Sequence, residues 1–172
     1  MFAKSATHFN HFIKFQQQKF CTKRHLAALL ARGAFILCAT GEKGVDLVGM
    51  ALRDKDKSIS SDNLVIFLFQ VKNDSAYTAT PDYDLFDRMD CFLLGLVGKD
   101  SKSVVVVRVI TALAAITPST IPIPCHKHNF TVYDIWCAGM SSEVYAPIKN
   151  RVDTSRWIAL LNASRRRENC TR

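Results

Sequence analysis

Long apolar runs are missing from this sequence of 172 residues. The two longest candidates, at 64–71 and 104–116, are shorter than the ~18 apolar residues that cross a bilayer, and Arg108 and Thr111 interrupt the second. The first twenty residues lack the continuous apolar segment of a secretory signal. The sequence therefore predicts an intracellular protein, nuclear or cytoplasmic, without a membrane partner.

Closely spaced cysteine pairs are also missing, although the chain has six cysteines. Cys38 and Cys137 lie in apolar, strand-like runs, which favours buried reduced thiols. Cys125, His126 and His128, together with Cys137, are an alternative set of zinc ligands. Their spacing fits no standard zinc site, so a solvated loop is the preferred interpretation of 125–128.

Acidic side chains are absent from residues 1–40, and the net charge of +8 is uneven. It amounts to +6 over residues 1–60, −2 over 61–149 and +4 over 150–172. Basic ends favour a polyanionic partner such as nucleic acid, although charge also serves solubility. The triple arginine at 165–167 could contact phosphates or act as a nuclear address. The alternative is a solvated helix end that the helix dipole favours.

Apolar periodicity and turn residues predict an α/β domain. A helix of about ten residues begins at the Thr22 cap and ends at Gly33. Three strands follow it, the last of which, "LVIFLFQVKN", is apolar on both faces, as in the centre of a sheet. An amphipathic helix over residues 82–96, two further strands and a capped C-terminal helix complete the prediction. The three prolines of "TPSTIPIPCHKH" predict an irregular segment.

The short links between the first three strands predict antiparallel pairing. The resulting order is α-β-β-β-α-β-β-α, a mixed central sheet flanked by helices. No internal repeat or boundary divides the sequence, so one domain is predicted over 1–172. Its first twenty residues are polar, and residues 163–172 form a basic tail.

Three polar residues converge in this arrangement. Gln70 and Lys72 are two residues apart at the end of an apolar strand, so they lie on the same side of the sheet. Asp46 lies in the preceding strand, in "GVDLVG", near the same edge if the two strands form a hairpin. Charged groups in an apolar strand require charged or hydrogen-bonding partners.

Asp46 followed by Gln70-Val71-Lys72, on adjacent strands after an opening helix, resembles the motif of the PD-(D/E)XK nuclease superfamily. The Gln in place of an acid resembles the Mrr-like branch, and parts of 29–140 are similar to fungal proteins carrying this motif set. The resemblance implies the restriction-endonuclease-like fold and metal-dependent hydrolysis of DNA. It implies that Asp46, Gln70 and the Val71 carbonyl bind Mg²⁺ or Mn²⁺. It also implies that Lys72 activates water or stabilises the transition state.

Other interpretations stay open. Asp46 and Lys72 could form a plain ion pair between strands, with Gln70 at a strand end. The chain could also be an inactive module of the nuclease fold that binds nucleic acid or a protein partner. The segment "GLVGKDS" is too short between its glycines for a phosphate-binding P-loop and has Asp100 after Lys99. No nucleophile elbow supports Ser-His-Asp catalysis.

Overall fold

A computed structural model describes residues 2–14, 22–38, 44–96, 98, 104–124 and 131–169. Over these residues the chain forms three α-helices, seven β-strands and two short 3-10 helices at Phe2–Lys4 and Ser61–Asn63. The helices are α1 (Lys23–Ala31), α2 (Tyr83–Asp87) and α3 (Arg151–Asn169). The strands are β1 (His11–Lys14), β2 (Ala34–Leu37), β3 (Leu47–Leu52), β4 (Leu64–Lys72), β5 (Val105–Ala112), β6 (Ser119–Ile123) and β7 (Thr131–Ala138).

The strands form one mixed sheet in the order β1-β2-β3-β4-β5-β7-β6. Strand β1 runs parallel to β2, whereas β2, β3 and β4 are successively antiparallel. The predicted α/β class and the antiparallel pairing of these three strands are therefore confirmed. The chain has two strands more than the predicted order, namely β1 and β6. None of the described helices is both long and apolar enough to cross a membrane.

Helix α1 has the boundaries that its sequence predicts. The side chain of Thr22 accepts a hydrogen bond from the backbone N–H of His25, and the His25 ring accepts one from the Thr22 N–H. This reciprocal cap satisfies two donors that the first turn leaves without helical partners. Gly33 follows the helix with a φ of 66°, a left-handed conformation that glycine adopts without steric cost.

Two elements differ from the prediction. Helix α2 ends at Asp87 because the next residues form turns, in which the Asp90 carboxylate accepts the N–H of Phe92 at 2.7 Å. Such a side-chain bond competes with helical hydrogen bonds. The prediction of irregular structure around the prolines was wrong for β6, which contains Pro122. A proline is tolerated there because β6 is an edge strand.

The chain divides into two compact units. The first comprises Met1–Gln70, Tyr83–Val109 and Pro124–Asp134, and the second comprises Val71–Asp82, Ile110–Ile123 and Ile135–Arg172. In the second unit the fully buried Trp136 donates its indole N–H to the carbonyl of Thr78 at 3.1 Å. The single domain predicted over 1–172 stays a prediction.

In the first unit, β2, β3 and β4 present two different faces. The buried face carries side chains that are at most 2% exposed, and α1 packs against β2 and β3 with Leu26 and Leu30 buried. Its members are Ile36, Val48, Met50, Ile66 and Leu68. Because successive side chains alternate between faces, the intervening residues form the opposite surface, which we call the open face. Its members include Phe35, Leu37, Leu47, Phe67 and Phe69, all half-buried or exposed.

Gly49 lies in the middle of the open face, beneath the ring of Phe35. A Cβ atom at position 49 would lie 2.7 Å from Cε2 of that ring. Gly49→Ala is therefore expected to displace the ring and to lower the free energy of unfolding by about 1–3 kcal/mol. The measurement is urea denaturation against Gly98→Ala, because a Cβ at position 98 has no neighbour within 4 Å. Equal stability of the two variants would contradict this packing.

Candidate functional site at the end of strand β4

The polar end of β4 begins with a buried amide. Gln70 is 6% exposed and continues the alternation of Ile66 and Leu68 on the buried face. Val71 points the other way and is 48% exposed. Lys72 is half-buried, and alternation along the strand gives its side chain the same side as Gln70. The predicted strand is thus present, and the common side of Gln70 and Lys72 stays an inference from its alternation.

Lys72 meets an aromatic ring within its own unit. Its Nζ atom lies 5.4 Å from the centroid of the Tyr77 ring. The negative face of the ring attracts the ammonium group and offsets part of the cost of its partial burial. The Tyr77 ring therefore stabilises the Lys72 ammonium group at the end of an apolar strand.

Asp46 lies in the bend before β3, and its side chain is exposed. Its N–H donates to the carbonyl of Phe69 at 2.8 Å, and its own carbonyl accepts the N–H of Cys38 at 2.9 Å. Leu47 is also paired with Phe69. Asp46 and Leu47 on one strand therefore both lie opposite Phe69 on the other, which is the arrangement of a β-bulge.

The bulge changes the argument from strand alternation. Strict alternation assigned Asp46 to the same side as Gln70, whereas a bulge redirects the side chain of the extra residue. The carboxylate of Asp46 is exposed and the amide of Gln70 is buried. The convergence of Asp46, Gln70 and Lys72 on one ion stays a prediction.

The possible metal ligands near the bulge are oxygen atoms. Within the described part of the chain, no group of three or more His, Cys, Asp or Glu side chains is arranged to hold a metal ion. The oxygen donors that the sequence motif predicts for a metal are the Asp46 carboxylate and the neutral oxygens of Gln70 and Val71. Such a set fits Mg²⁺ or Mn²⁺, which bind through one or two carboxylates and keep several waters. One anionic ligand implies weak binding.

A buried ion pair lies elsewhere in the first unit, between β5 and β7. Arg108 and Asp134 are 2% and 4% exposed. The Arg108 Nε and Nη2 atoms each donate to one carboxylate oxygen of Asp134 at 2.6 Å, and Nη1 donates to the carbonyl of Phe86 at 2.7 Å. The sequence analysis did not pair these residues. The sequence showed only that Arg108 and Asp134 are single charged residues, of opposite sign, in two separate apolar runs.

The cysteines of the described residues have the character of structural thiols. Cys38, Cys91 and Cys137 form no disulfide bond. Burial, followed by the nearby Asp90 carboxylate, raises the pKa of Cys91 to about 12. Burial also raises the pKa of Cys137. Both thiols are therefore protonated at neutral pH and are poor nucleophiles. The loop with Cys125, His126 and His128 lies outside the described residues.

Of two further sequence motifs, one falls partly outside the described residues and the other lies in a described helix. Lys99 and Asp100 of the "GLVGKDS" segment are not described, so the structure adds nothing to that interpretation. The triple arginine at 165–167 lies within the described span of α3, whose backbone is helical as predicted.

The loop between β3 and β4 surrounds an open cavity of about 750 Å³. Asn63 organises the loop, because its Nδ2 donates to the carbonyls of Asp54 and Ser58 and its Oδ1 accepts the Asp54 N–H. Two of the three cations that line the cavity, Lys4 and Lys57, have acidic partners. Lys57 lies 3.9 Å from an Asp54 oxygen, and Lys4 pairs with Asp56 at 3.6 Å. The charges of the loop are balanced and its conformation is held by its own hydrogen bonds and ion pairs. It therefore has no excess of positive charge that would bind an anion.

Comparisons of the chain with models of known protein families, with curated proteins and with solved structures gave no match.

Proposed function

We propose that the chain is a metal-dependent DNA phosphodiesterase of the PD-(D/E)XK type. The observation that carries the proposal is local. Gln70, Val71 and Lys72 end one continuous strand, and the bulge at Asp46 is hydrogen-bonded to Phe69, the residue immediately before Gln70. The sequence motif and this neighbourhood in the sheet support the same assignment.

In the proposed site each residue has one role. The Asp46 carboxylate, the Gln70 amide oxygen and the Val71 carbonyl would hold Mg²⁺ or Mn²⁺, which supplies Lewis acidity and a more acidic water molecule when bound. Lys72 would donate hydrogen bonds to the phosphate oxygens as negative charge develops on them. The contact with Tyr77 limits the directions that the ammonium can take. The reaction is hydrolysis of a phosphodiester bond by water.

A second candidate is an inactive module of the same fold that binds nucleic acid or a protein partner. The neutral Gln70 favours it, because one carboxylate holds a divalent cation weakly. The charge of +6 over residues 1–60 also favours it, since phosphate binding needs cations and no active site. Binding of duplex DNA that weakens steeply with salt, without cleavage in any metal, would select this candidate.

The proposed activity is tested by nicking of supercoiled plasmid in a series of Mg²⁺ and Mn²⁺ concentrations. Wild-type protein is expected to nick the plasmid slowly with metal and to stop when chelator is added. A mock purification from cells without the gene is the control for contaminating nucleases. Equal nicking by the mock preparation, or no nicking at any metal concentration, rejects the enzymatic proposal.

Gln70→Glu is the informative gain-of-function variant. It adds a second anionic oxygen to the proposed ligands, so half-maximal nicking is expected at a metal concentration roughly ten-fold lower. The matched control is Gln70→Met, which keeps the approximate size of the side chain but removes its ligand oxygen. A metal dependence that is the same for Gln70→Glu and wild type would remove Gln70 from the site.

A further inference from the structure

The open face carries a row of rings across four neighbouring strands. Phe12 on β1 is directly opposite Phe35 on β2. Phe35 lies against Gly49 on β3, and Gly49 is paired with Phe67 on β4. Partners in register share a face of the sheet. The row therefore runs Phe12, Phe35, Gly49 and Phe67, and the glycine leaves the space that the Phe35 ring occupies.

A second row lies beside the first. Lys14 is opposite Leu37, Leu37 is opposite Leu47, and Leu47 is opposite Phe69. The rings of Phe67 and Phe69 are nearly parallel, with centroids 6.2 Å apart and an interplanar angle of 14°. The surface thus combines flat aromatic groups with an ammonium group at its β1 edge.

Phe9 extends the aromatic surface at the same edge. Its ring centroid is 4.8 Å from that of Phe12 and 5.0 Å from that of Phe35. Phe9 is 46% exposed and Phe12 is 50% exposed, and Leu37 beside them is also exposed. A contiguous apolar patch of this kind marks a binding surface more often than a solitary exposed side chain does.

Charge indicates the chemistry of the partner. The segment that supplies β1, α1 and β2 contains no acidic residue before Glu42. The described part of this segment has five cations, namely Lys4, Lys14, Lys23, Arg24 and Arg32. Asp46 adjoins Leu47 at the border of the open face and is its acidic neighbour. Of these cations, Lys14 lies on the open face opposite Leu37, whereas Lys23 and Arg24 belong to α1, which packs on the buried face. An ammonium group beside exposed rings suits a polyanion that itself carries flat apolar groups.

We propose that the open face binds single-stranded nucleic acid. Unpaired bases stack on the exposed rings while Lys14 contacts a phosphate. A duplex keeps the faces of its bases stacked inside, so the rings offer it nothing. None of its rings is a proposed metal ligand, although the surface borders the proposed metal site at Leu47 and Phe69.

The test is fluorescence anisotropy of a labelled oligothymidylate of about 20 nucleotides, in chelator so that cleavage plays no part. Wild-type protein is expected to bind this strand at least ten-fold more tightly than a duplex of equal length. Phe12→Ala is expected to weaken binding about 5- to 100-fold, the loss of one stacked base. Phe12→Trp is expected to retain binding. Lys14→Ala is expected to reduce the dependence of binding on salt.

Tyr83→Ala is the matched control, because Tyr83 is an aromatic side chain that is 60% exposed on α2 and belongs to neither row. It is expected to leave the affinity unchanged. Binding by Phe12→Ala within two-fold of wild type would overturn the proposal, as would tighter binding of the duplex. Sedimentation in the absence of nucleic acid distinguishes self-association. A wild-type dimer that Phe12→Ala converts to a monomer, with no binding of oligothymidylate, would also overturn it.

Discussion

Arg108→Met is expected to lower the free energy of unfolding by about 3–5 kcal/mol. The substitution keeps much of the side-chain volume but leaves the Asp134 carboxylate buried without its two hydrogen bonds from Arg108. It also removes the donor to the Phe86 carbonyl. Proteins of this size are stable by only about 5–15 kcal/mol, so the loss is a large share. Equilibrium denaturation in urea measures it.

Two further variants identify the cause of that loss. Arg53→Met makes the same change at an exposed arginine and is expected to alter stability by less than about 0.5 kcal/mol. The double variant Arg108→Met/Asp134→Leu removes both charges and is expected to recover much of the stability, since apolar replacements of buried pairs are often tolerated. A double variant less stable than Arg108→Met would show that the cost comes from packing and not from the unpaired carboxylate.

Asp46→Asn is expected to reduce metal-dependent nicking roughly 100-fold or more, because the site loses its one anionic ligand and the metal contributes several kcal/mol to such reactions. Stability should change little, since the side chain is exposed. Plasmid nicking at saturating Mn²⁺ gives the rate, and calorimetric titration with Mn²⁺ gives the affinity, which is expected to fall with it.

Lys72→Ala separates catalysis from metal binding. It is expected to abolish nicking while Mn²⁺ affinity stays near that of wild type, because an ammonium group is not a metal ligand. Asp62→Asn serves as the control for Asp46→Asn, as it neutralises an exposed aspartate in a weak surface pair with Lys23. Nicking by Asp46→Asn at the wild-type rate would reject the enzyme and leave the inactive module.

Local signals in the sequence predicted some elements well. Thr22 and Gly33 marked α1 because caps and left-handed glycines act within a few residues. The apolar run of β4 was recognised because its composition differs from that of the flanking loops. Asp90 ended the helical pattern after α2 through a side-chain bond that apolar periodicity does not reveal.

Contacts between distant residues were not predictable in the same way. Strand alternation gave Gln70 and Lys72 a common side of the sheet. The bulge at Asp46, in contrast, depends on which carbonyl of β4 accepts the hydrogen bond from the Asp46 N–H. Arg108 and Asp134 are 26 residues apart and meet only because β5 and β7 are neighbours in the sheet. The aromatic rows likewise require the register of four strands, and composition shows only that phenylalanine is frequent.

The two edges of the sheet differ in how they resist aggregation. An edge strand exposes backbone donors and acceptors that can recruit a strand from another molecule. Strand β6 has Pro122, which has no N–H to offer, and Pro118 and Pro124 flank it, so sheet growth is blocked on that side. Strand β1 has no proline and is only four residues long. Conditions that promote fibrillar association of the folded protein are therefore expected to act through β1, where charged residues are the remaining protection.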